Sequence, residues 1–141
     1  MAKSRPELPG WIKDHIKTYL ETDGADGHMW RGVPTLLLTT TGRRSGESIL
    51  LPLIYGTHGP NYLVVASKGG APTHPGWYEN LVANPEVEVQ VGADTFKAHA
   101  RAATPAEKPA LWEKMASIWP AYNEYQKQTS RDIPVVVLER S

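Results

Sequence analysis

The sequence predicts a mainly β fold with inserted helices, an antiparallel barrel of about six strands with an N-terminal helix packed outside it. Three observations carry this expectation. Apolar runs of strand length recur between Pro34 and Leu138, and the Gly- and Pro-containing turns between several of them are too short for the crossovers that parallel strands require. Val87, Val89 and Val91 alternate with Glu86, Glu88 and Gln90, which is the period of a strand with one wet face. The chain has 141 residues, enough for one domain, and closing a sheet of this size removes its open edges.

The elements follow in order. Trp11, Ile12, His15, Ile16, Tyr19 and Leu20 fall at helical spacing, so residues 8 to 21 are expected to form an amphipathic helix with Lys13, Asp14 and Lys17 on its wet face. Such a stripe packs on its own barrel or lies against a membrane surface. Glu21 to Gly32, rich in Gly, Asp and Thr, reads as a connecting loop. Residues 1 to 32 therefore form the helical and connecting segment, and residues 33 to 141 the barrel, within a single domain. Pro34 to Thr40 is the first strand, Gly42 to Gly46 turns the chain, and Ser48 to Tyr55 returns it. Thr57-His58-Gly59-Pro60 turns it again into Asn61 to Ser67, continuing a meander.

A helix opens near Pro75 and stops at Asn84-Pro85, because proline forbids its continuation. The alternating valine strand then connects through Gly92-Ala93-Asp94 to a second alternating strand, Thr95 to Arg101. Thr104-Pro105-Ala106-Glu107 has the pattern of a capping box and starts a helix running toward Trp119. Pro120 restarts a short helical segment through Gln126, and Pro134 to Leu138 is the last strand.

Composition narrows the function classes. Lys plus Arg and Asp plus Glu number 15 each, so no bulk field favours nucleic acid, and no nucleic-acid partner is expected. Without cysteine there is no disulfide framework, thiolate nucleophile or thiolate metal site. His15, His28, His58, His74 and His99 lack metal-ligand spacing, and no metal is expected. Met1 to Pro6 lacks the apolar stretch of a secretory signal, and no apolar run approaches the ~18 residues needed to cross a bilayer. The expected location is cytoplasmic, extending to the inner face of a membrane.

The chemistry concentrates in two glycine-rich segments that follow apolar runs, Thr39 to Gly46 and Ala66 to Gly70. Glycines let backbone N–H groups approach an oxyanion, hydroxyls donate to it, and Arg43, Arg44 and Lys68 neutralise its charge. A charged hairpin tip alone also reads as a solvated turn. The helix start at Pro75-Gly76-Trp77-Tyr78 offers further free N–H groups. Gly42-Arg43-Arg44-Ser45-Gly46 is not a nucleophile elbow, which argues against a Ser-His-Asp hydrolase.

These segments, in this order and joined by strand-like runs from about Pro34 to Leu138, resemble the deazaflavin-dependent nitroreductase family, split-barrel reductases that use coenzyme F420. The resemblance implies a split β-barrel. It also implies that Arg43, Arg44, Ser45, Ser67, Lys68 and Gly69, with Pro75, Gly76, Trp77, Tyr78 and Asn80, hold the phosphate and ring system of the deazaflavin, while Pro52, Val65 and Ala66 line the ring plane. Tyr122 matches a position that reaches the coenzyme. The implied reaction passes a hydride to electron-poor acceptors: quinones, cyclic enones, unsaturated lactones such as aflatoxin-type coumarins, and nitroaromatics. Tyr122, Tyr125 and Ser67 are the implied proton or hydrogen-bond donors. Trp119 to Tyr125 also fits simple core packing.

Two departures from the family pattern bear on this. Glu47-Ser48-Ile49-Leu50 stands where further cations often follow the turn, which weakens the expected grip on the oligoglutamate tail of the coenzyme. Trp119 stands where members of the resembled family with nitroreductase activity can carry Tyr. The competing readings are an FMN-binding split-barrel oxidoreductase and a non-catalytic coenzyme carrier. Contact with a membrane surface through the N-terminal helix, and pairing as a homodimer, are the expected associations.

Overall fold

The computed structural model describes residues 10–141; Leu8 and Pro9, the first residues of the expected N-terminal helix, lie outside them. In chain order the elements are α1 (Gly10–Glu21), β1 (Met29–Trp30), β2 (Val33–Thr41), β3 (Ser48–Ile54), β4 (Gly56–His58), β5 (Asn61–Val65), a 3-10 turn (Lys68–Gly70), α2 (Gly76–Ala83), β6 (Glu86–Val91), β7 (Asp94–Ala102), α3 (Lys108–Ile118), α4 (Ala121–Gln128) and β8 (Val135–Arg140).

All pairings are antiparallel, in the order β1-β2-β6-β7-β8-β5-β4, with β3 also on β2. β3 and β4 lie at opposite ends of this path, yet only Tyr55 separates them in the chain. A one-residue link cannot span a flat sheet, so the sheet must curl until its two ends meet, which produces the split barrel. Here the expected meander is corrected: β2–β3 and β4–β5 are hairpins, but β3 does not pair with β4. The strand count is also corrected, from about six to eight among the described residues. The two additions are the two-residue β1 within the expected loop, and β4, whose Thr57 and His58 the sequence pattern places in a turn. Neither carries a periodic pattern long enough to read.

Alternation along the strands divides the core in two. Leu36, Leu38, Val64, Val136 and Leu138 point inward to the barrel interior, where Val87, Val89, Phe96 and Ala98 meet them. Leu63, Val65, Val135 and Val137 point outward and are covered by Leu111 and Met115 of α3 and Tyr122 of α4. Leu37 and Leu50 also face outward, beneath Ile16 and Tyr19 of α1. The N-terminal helix thus packs outside the barrel through Ile16 and Tyr19, while Trp11 and Leu20 of the expected stripe stay exposed. Burying each of these leucines contributes about 2 kcal/mol, and the outward faces of β2 and β8 hold α1, α3 and α4 in place. The Tyr19 hydroxyl secures α1 further, donating to the carbonyl of Thr35 at 3.1 Å and accepting from the N–H of Gly92 at 2.7 Å.

Helix boundaries follow local chemistry. The capping box before α3 forms as expected: Thr104 N–H donates to Glu107 Oε1 at 2.8 Å, and Glu107 N–H to Thr104 Oγ1 at 3.3 Å. α2 ends at Ala83, immediately before Asn84-Pro85. No helix among the described residues is long and apolar enough to cross a membrane.

Candidate functional site

A cavity of about 340 Å³ opens where β3, the segment after β5, the start of α2, α4 and α1 meet. One wall is apolar and comes from the strands: Pro52 and its β3 neighbours, with Val65 at the end of β5. Ser67, Lys68 and Gly69 form one rim, and Pro75 and Trp77 continue it at the helix start. Tyr122 and Tyr125 of α4 reach the same space. Trp11, Ile12 and His15 of α1, with Trp30 and Thr35, close the remaining side.

The rim is built from left-handed backbone. Lys68, Gly69 and Gly70 have φ of 47°, 62° and 84°. At Gly69 a side chain would meet open space, whereas at Gly70 a Cβ would sit 2.7 Å from the carbonyl oxygen of Tyr125. Gly70 therefore lets the turn pack directly on α4. Gly70 and Ala71 N–H groups close the turn on the carbonyls of Ser67 and Lys68, while those of Ser67, Lys68 and Gly69 have no partner among the described residues. The N–H groups of Gly76 and Trp77 at the start of α2 are likewise unpaired among the described residues. Lys68 Nζ is exposed and reaches Thr73 Oγ1 at 3.3 Å. Unpaired donors and an exposed cation at one rim suit an anion.

The Gly42–Gly46 turn meets the same helix start from another direction. Arg43 donates through Nη1 to Asn80 Oδ1 at 2.9 Å and to the carbonyl of Gly76 at 3.4 Å, and its Nη2 lies 3.2 Å from Glu79 Oε2. Asn80, 4% exposed, donates in turn to Thr40 Oγ1 at 3.3 Å. Arg43 and Asn80 thus fasten the hairpin to α2 and do not line the cavity. Arg44 is exposed with no side-chain partner among the described residues, and Ser45 Oγ accepts from Glu47 N–H at 3.2 Å. Ala66 is fully buried behind the rim, Gly76 stands at the first turn of α2, and Tyr78 packs on His74, ring centroids 4.7 Å apart, away from the lining.

The two tyrosines of α4 differ in surroundings. Tyr122 is 5% exposed, and burial, followed by the neighbouring Tyr125 phenol, pushes its hydroxyl far above the ordinary range. That hydroxyl has no protein partner among the described residues and is not sealed in the core, so it is open to the cavity. Tyr125 accepts a hydrogen bond from Trp119 Nε1 at 3.4 Å, and its ring meets Tyr122 edge-on at 6.1 Å. Ser67 Oγ also lacks a protein partner among the described residues.

Sequence reasoning missed the far wall and one support. Trp11 stacks on Trp30 at 5.9 Å and Trp30 meets Trp119 at 5.8 Å, a row of rings joining α1 to the segment between α3 and α4. His15 Nε2 lies 2.7 Å from the carbonyl oxygen of Gly27, which orients its ring at the cavity edge. These residues come together only through the docking of α1 and carry no motif. The missed support is Arg131, whose guanidinium reaches the carbonyls of Ala66, Ser67 and Ala71. It lies outside every glycine-rich segment.

Comparison with known proteins gives the lineage. The family model described as F420H(2)-dependent quinone reductase matches residues 11–140. The F420H(2)-dependent quinone reductase Rv1261c of Mycobacterium tuberculosis is 43% identical over 95% of this chain and 99% of its own length. A solved F420-H2 dependent reductase, FDR-A, is 42% identical with a TM-score of 0.70, covering 75% of this chain and 94% of that one. Another solved structure, described as a domain-swapped dimer, is 39% identical with a TM-score of 0.73 and covers 92% of this chain and 97% of that one. With a family model spanning nearly all its described residues and a relative matched end to end, this chain belongs to the F420H(2)-dependent quinone reductase family.

Proposed function

We propose that the cavity beside α4 binds reduced coenzyme F420 and a quinone together, and that the chain is an F420-dependent reductase of quinones. The observation that carries this is the joining, in one space, of a donor-rich glycine rim, an apolar wall and a buried phenol with no protein partner among the described residues. The residues fit the group. A phosphate suits the free N–H groups of the rim with Lys68, and a planar ring suits Pro52, Val65 and Trp77. When bound, the reduced deazaflavin supplies a hydride to the acceptor, which leaves an oxyanion that takes up a proton.

The chain's own residues do the rest. Lys68 and the rim fix the anionic end, so that donor and acceptor carbons are held at reacting distance. Tyr122 remains protonated at neutral pH and donates to the developing oxyanion. Its raised pKa makes complete loss of the proton uphill, so the final proton arrives through water. Ser67 Oγ supplies a second donor, and Tyr125 orients Tyr122 and the acceptor. Trp30 and His15 close the acceptor side against bulk water.

Cyclic enones and unsaturated lactones present the same conjugated carbonyl and fall within the proposed range. Nitroaromatics are weaker candidates because Trp119 stands where nitro-reducing members of the resembled family can carry Tyr. With Glu47 and Ile49 beside the turn, coenzymes with long and short oligoglutamate tails are expected to bind alike. The domain-swapped relative supports a homodimer, which sedimentation would reveal.

Steady-state oxidation of reduced F420 with a panel of quinones, enones and nitro compounds tests the reading. Quinone-dependent turnover supports it. Tight F420 binding without turnover of any acceptor would make the chain a carrier, and a preference for FMN would move it to the flavin branch of the split barrels.

A further inference from the structure

Arg131 precedes β8 and is itself held firmly, its carbonyl accepting from Gln126 Nε2 at 2.8 Å and its N–H reaching Thr129 Oγ1 at 3.3 Å. Its guanidinium donates through Nε to the Ala71 carbonyl at 2.8 Å, through Nη1 to the Ala66 carbonyl at 3.1 Å and to His74 Nδ1 at 3.0 Å, and through Nη2 to the Ser67 carbonyl at 2.6 Å. All three nitrogens of the group thus engage the segment from Ala66 to His74. No carboxylate lies within ion-pair distance of it among the described residues.

Two consequences follow from peptide geometry. There is no cis peptide among the described residues, so each carbonyl points opposite to the N–H of the next residue. Because the Ala66 and Ser67 carbonyls point to Arg131, the N–H groups of Ser67 and Lys68 point away from it, toward the side where they have no partner among the described residues. The guanidinium also aligns these peptide dipoles from behind, and its charge adds to that of Lys68.

We propose that Arg131 is the positioning residue of the anion cradle, a cation behind the rim that turns the Ser67 and Lys68 N–H groups toward a phosphate it does not itself touch. This rests on the reading of the cavity as a deazaflavin site and adds to it which part of the coenzyme the rim selects. A guanidinium is required because only its planar array of donors serves three carbonyls and an imidazole at once. Burial lowers the Arg131 pKa, as expected for a cation held without a counter-charge, yet the group stays protonated at any working pH.

The test compares two ligands: coenzyme F420, which carries the phosphodiester, and its ribityl deazaflavin fragment, which lacks the phosphodiester and the tail attached through it. Fluorescence titration of wild type, Arg131→Lys and Arg131→Gln gives the ratio of their affinities, with thermal melts run in parallel. Binding of F420 is expected to weaken about tenfold in Arg131→Gln and several-fold in Arg131→Lys, while binding of the ribityl fragment hardly changes. Equal losses for both ligands, or an unchanged ratio in Arg131→Lys, would overturn the proposal; should Arg131→Gln fail to fold, the Lys variant decides alone. Failure of wild type to bind either ligand would instead remove the reading of the cavity, and is distinguishable for that reason.

Discussion

Arg43 and Asn80, one in a hairpin turn and the other in a helix, are joined by a 2.9 Å hydrogen bond, and the backbone N–H of Arg43 donates to the same Oδ1 at 3.2 Å. The first arginine of the turn is therefore a fastener between β2–β3 and α2, while the second, Arg44, is exposed, has no side-chain partner among the described residues and lies outside the cavity lining. Asn80→Ala takes its partner from the buried Thr40 hydroxyl and from the backbone N–H of Arg43, and is expected to cost about 1–3 kcal/mol of stability, read from chemical denaturation. Arg44→Ala should leave the denaturation midpoint unchanged and weaken binding of F420. Reversal of these two phenotypes would show that the roles are exchanged.

Lys68 is the exposed cation of the rim, restrained only by a 3.3 Å contact with Thr73 among the described residues. Lys68→Ala is expected to weaken F420 binding about tenfold with little effect on folding, the scale of one charge-assisted hydrogen bond. Equal affinities for variant and parent in a fluorescence titration would exclude Lys68 from the site.

Tyr122 places a protonated phenol in the cavity, so Tyr122→Phe should slow single turnover with a quinone while leaving coenzyme affinity nearly intact. Because burial raises this pKa, the wild-type rate should show no deprotonation of Tyr122 up to about pH 10. A retained parent rate in the Phe variant would remove the donor role.

The same shifts set the alkaline limit of stability. Tyr19, Tyr55, Tyr78 and Tyr122 all have folded-state values raised, chiefly by burial, above an unfolded value of 10.0. Their folded forms hold protons that the unfolded chain releases first. Their contribution is complete below about pH 10 and is lost as pH rises toward the folded values. Thermal melts should therefore fall steeply above pH 10, and a midpoint that stays flat to about pH 12 would contradict this.

Gly70 combines φ of 84° with a Cβ position 2.7 Å from the Tyr125 carbonyl oxygen. Gly70→Ala must move the rim off α4, and a loss of about 1–3 kcal/mol is expected, with weaker coenzyme binding. Gly69→Ala, whose added methyl meets open space, incurs only the backbone strain and should be milder.

Local signals made much of this molecule legible. The valine alternation of β6, the capping box of Thr104 and Glu107 and the Asn84-Pro85 stop each act within a few residues, and each appears where the sequence placed it. The β3–β4 relation was not legible, because a turn-rich link between apolar runs looks the same whether the strands pair or part across a closing sheet. Lys68 and the α2 start could be picked out from their glycines, whereas Tyr122 came from the family resemblance, its aromatic spacing fitting core packing equally well. Arg131 could not be, since a lone arginine before a strand acquires its meaning from carbonyls some sixty residues away in sequence. The Trp11–Trp30 stack depends similarly on the docking of α1.

The most direct test is a single-turnover measurement: protein loaded with reduced F420 is mixed anaerobically with a quinone, and the absorbance of the oxidised coenzyme is followed. One equivalent should return per site at a rate that saturates with quinone and falls in Tyr122→Phe. Oxidation no faster than in protein-free solution, or equally fast after Lys68→Ala and Tyr122→Phe, would contradict the assignment of this cavity.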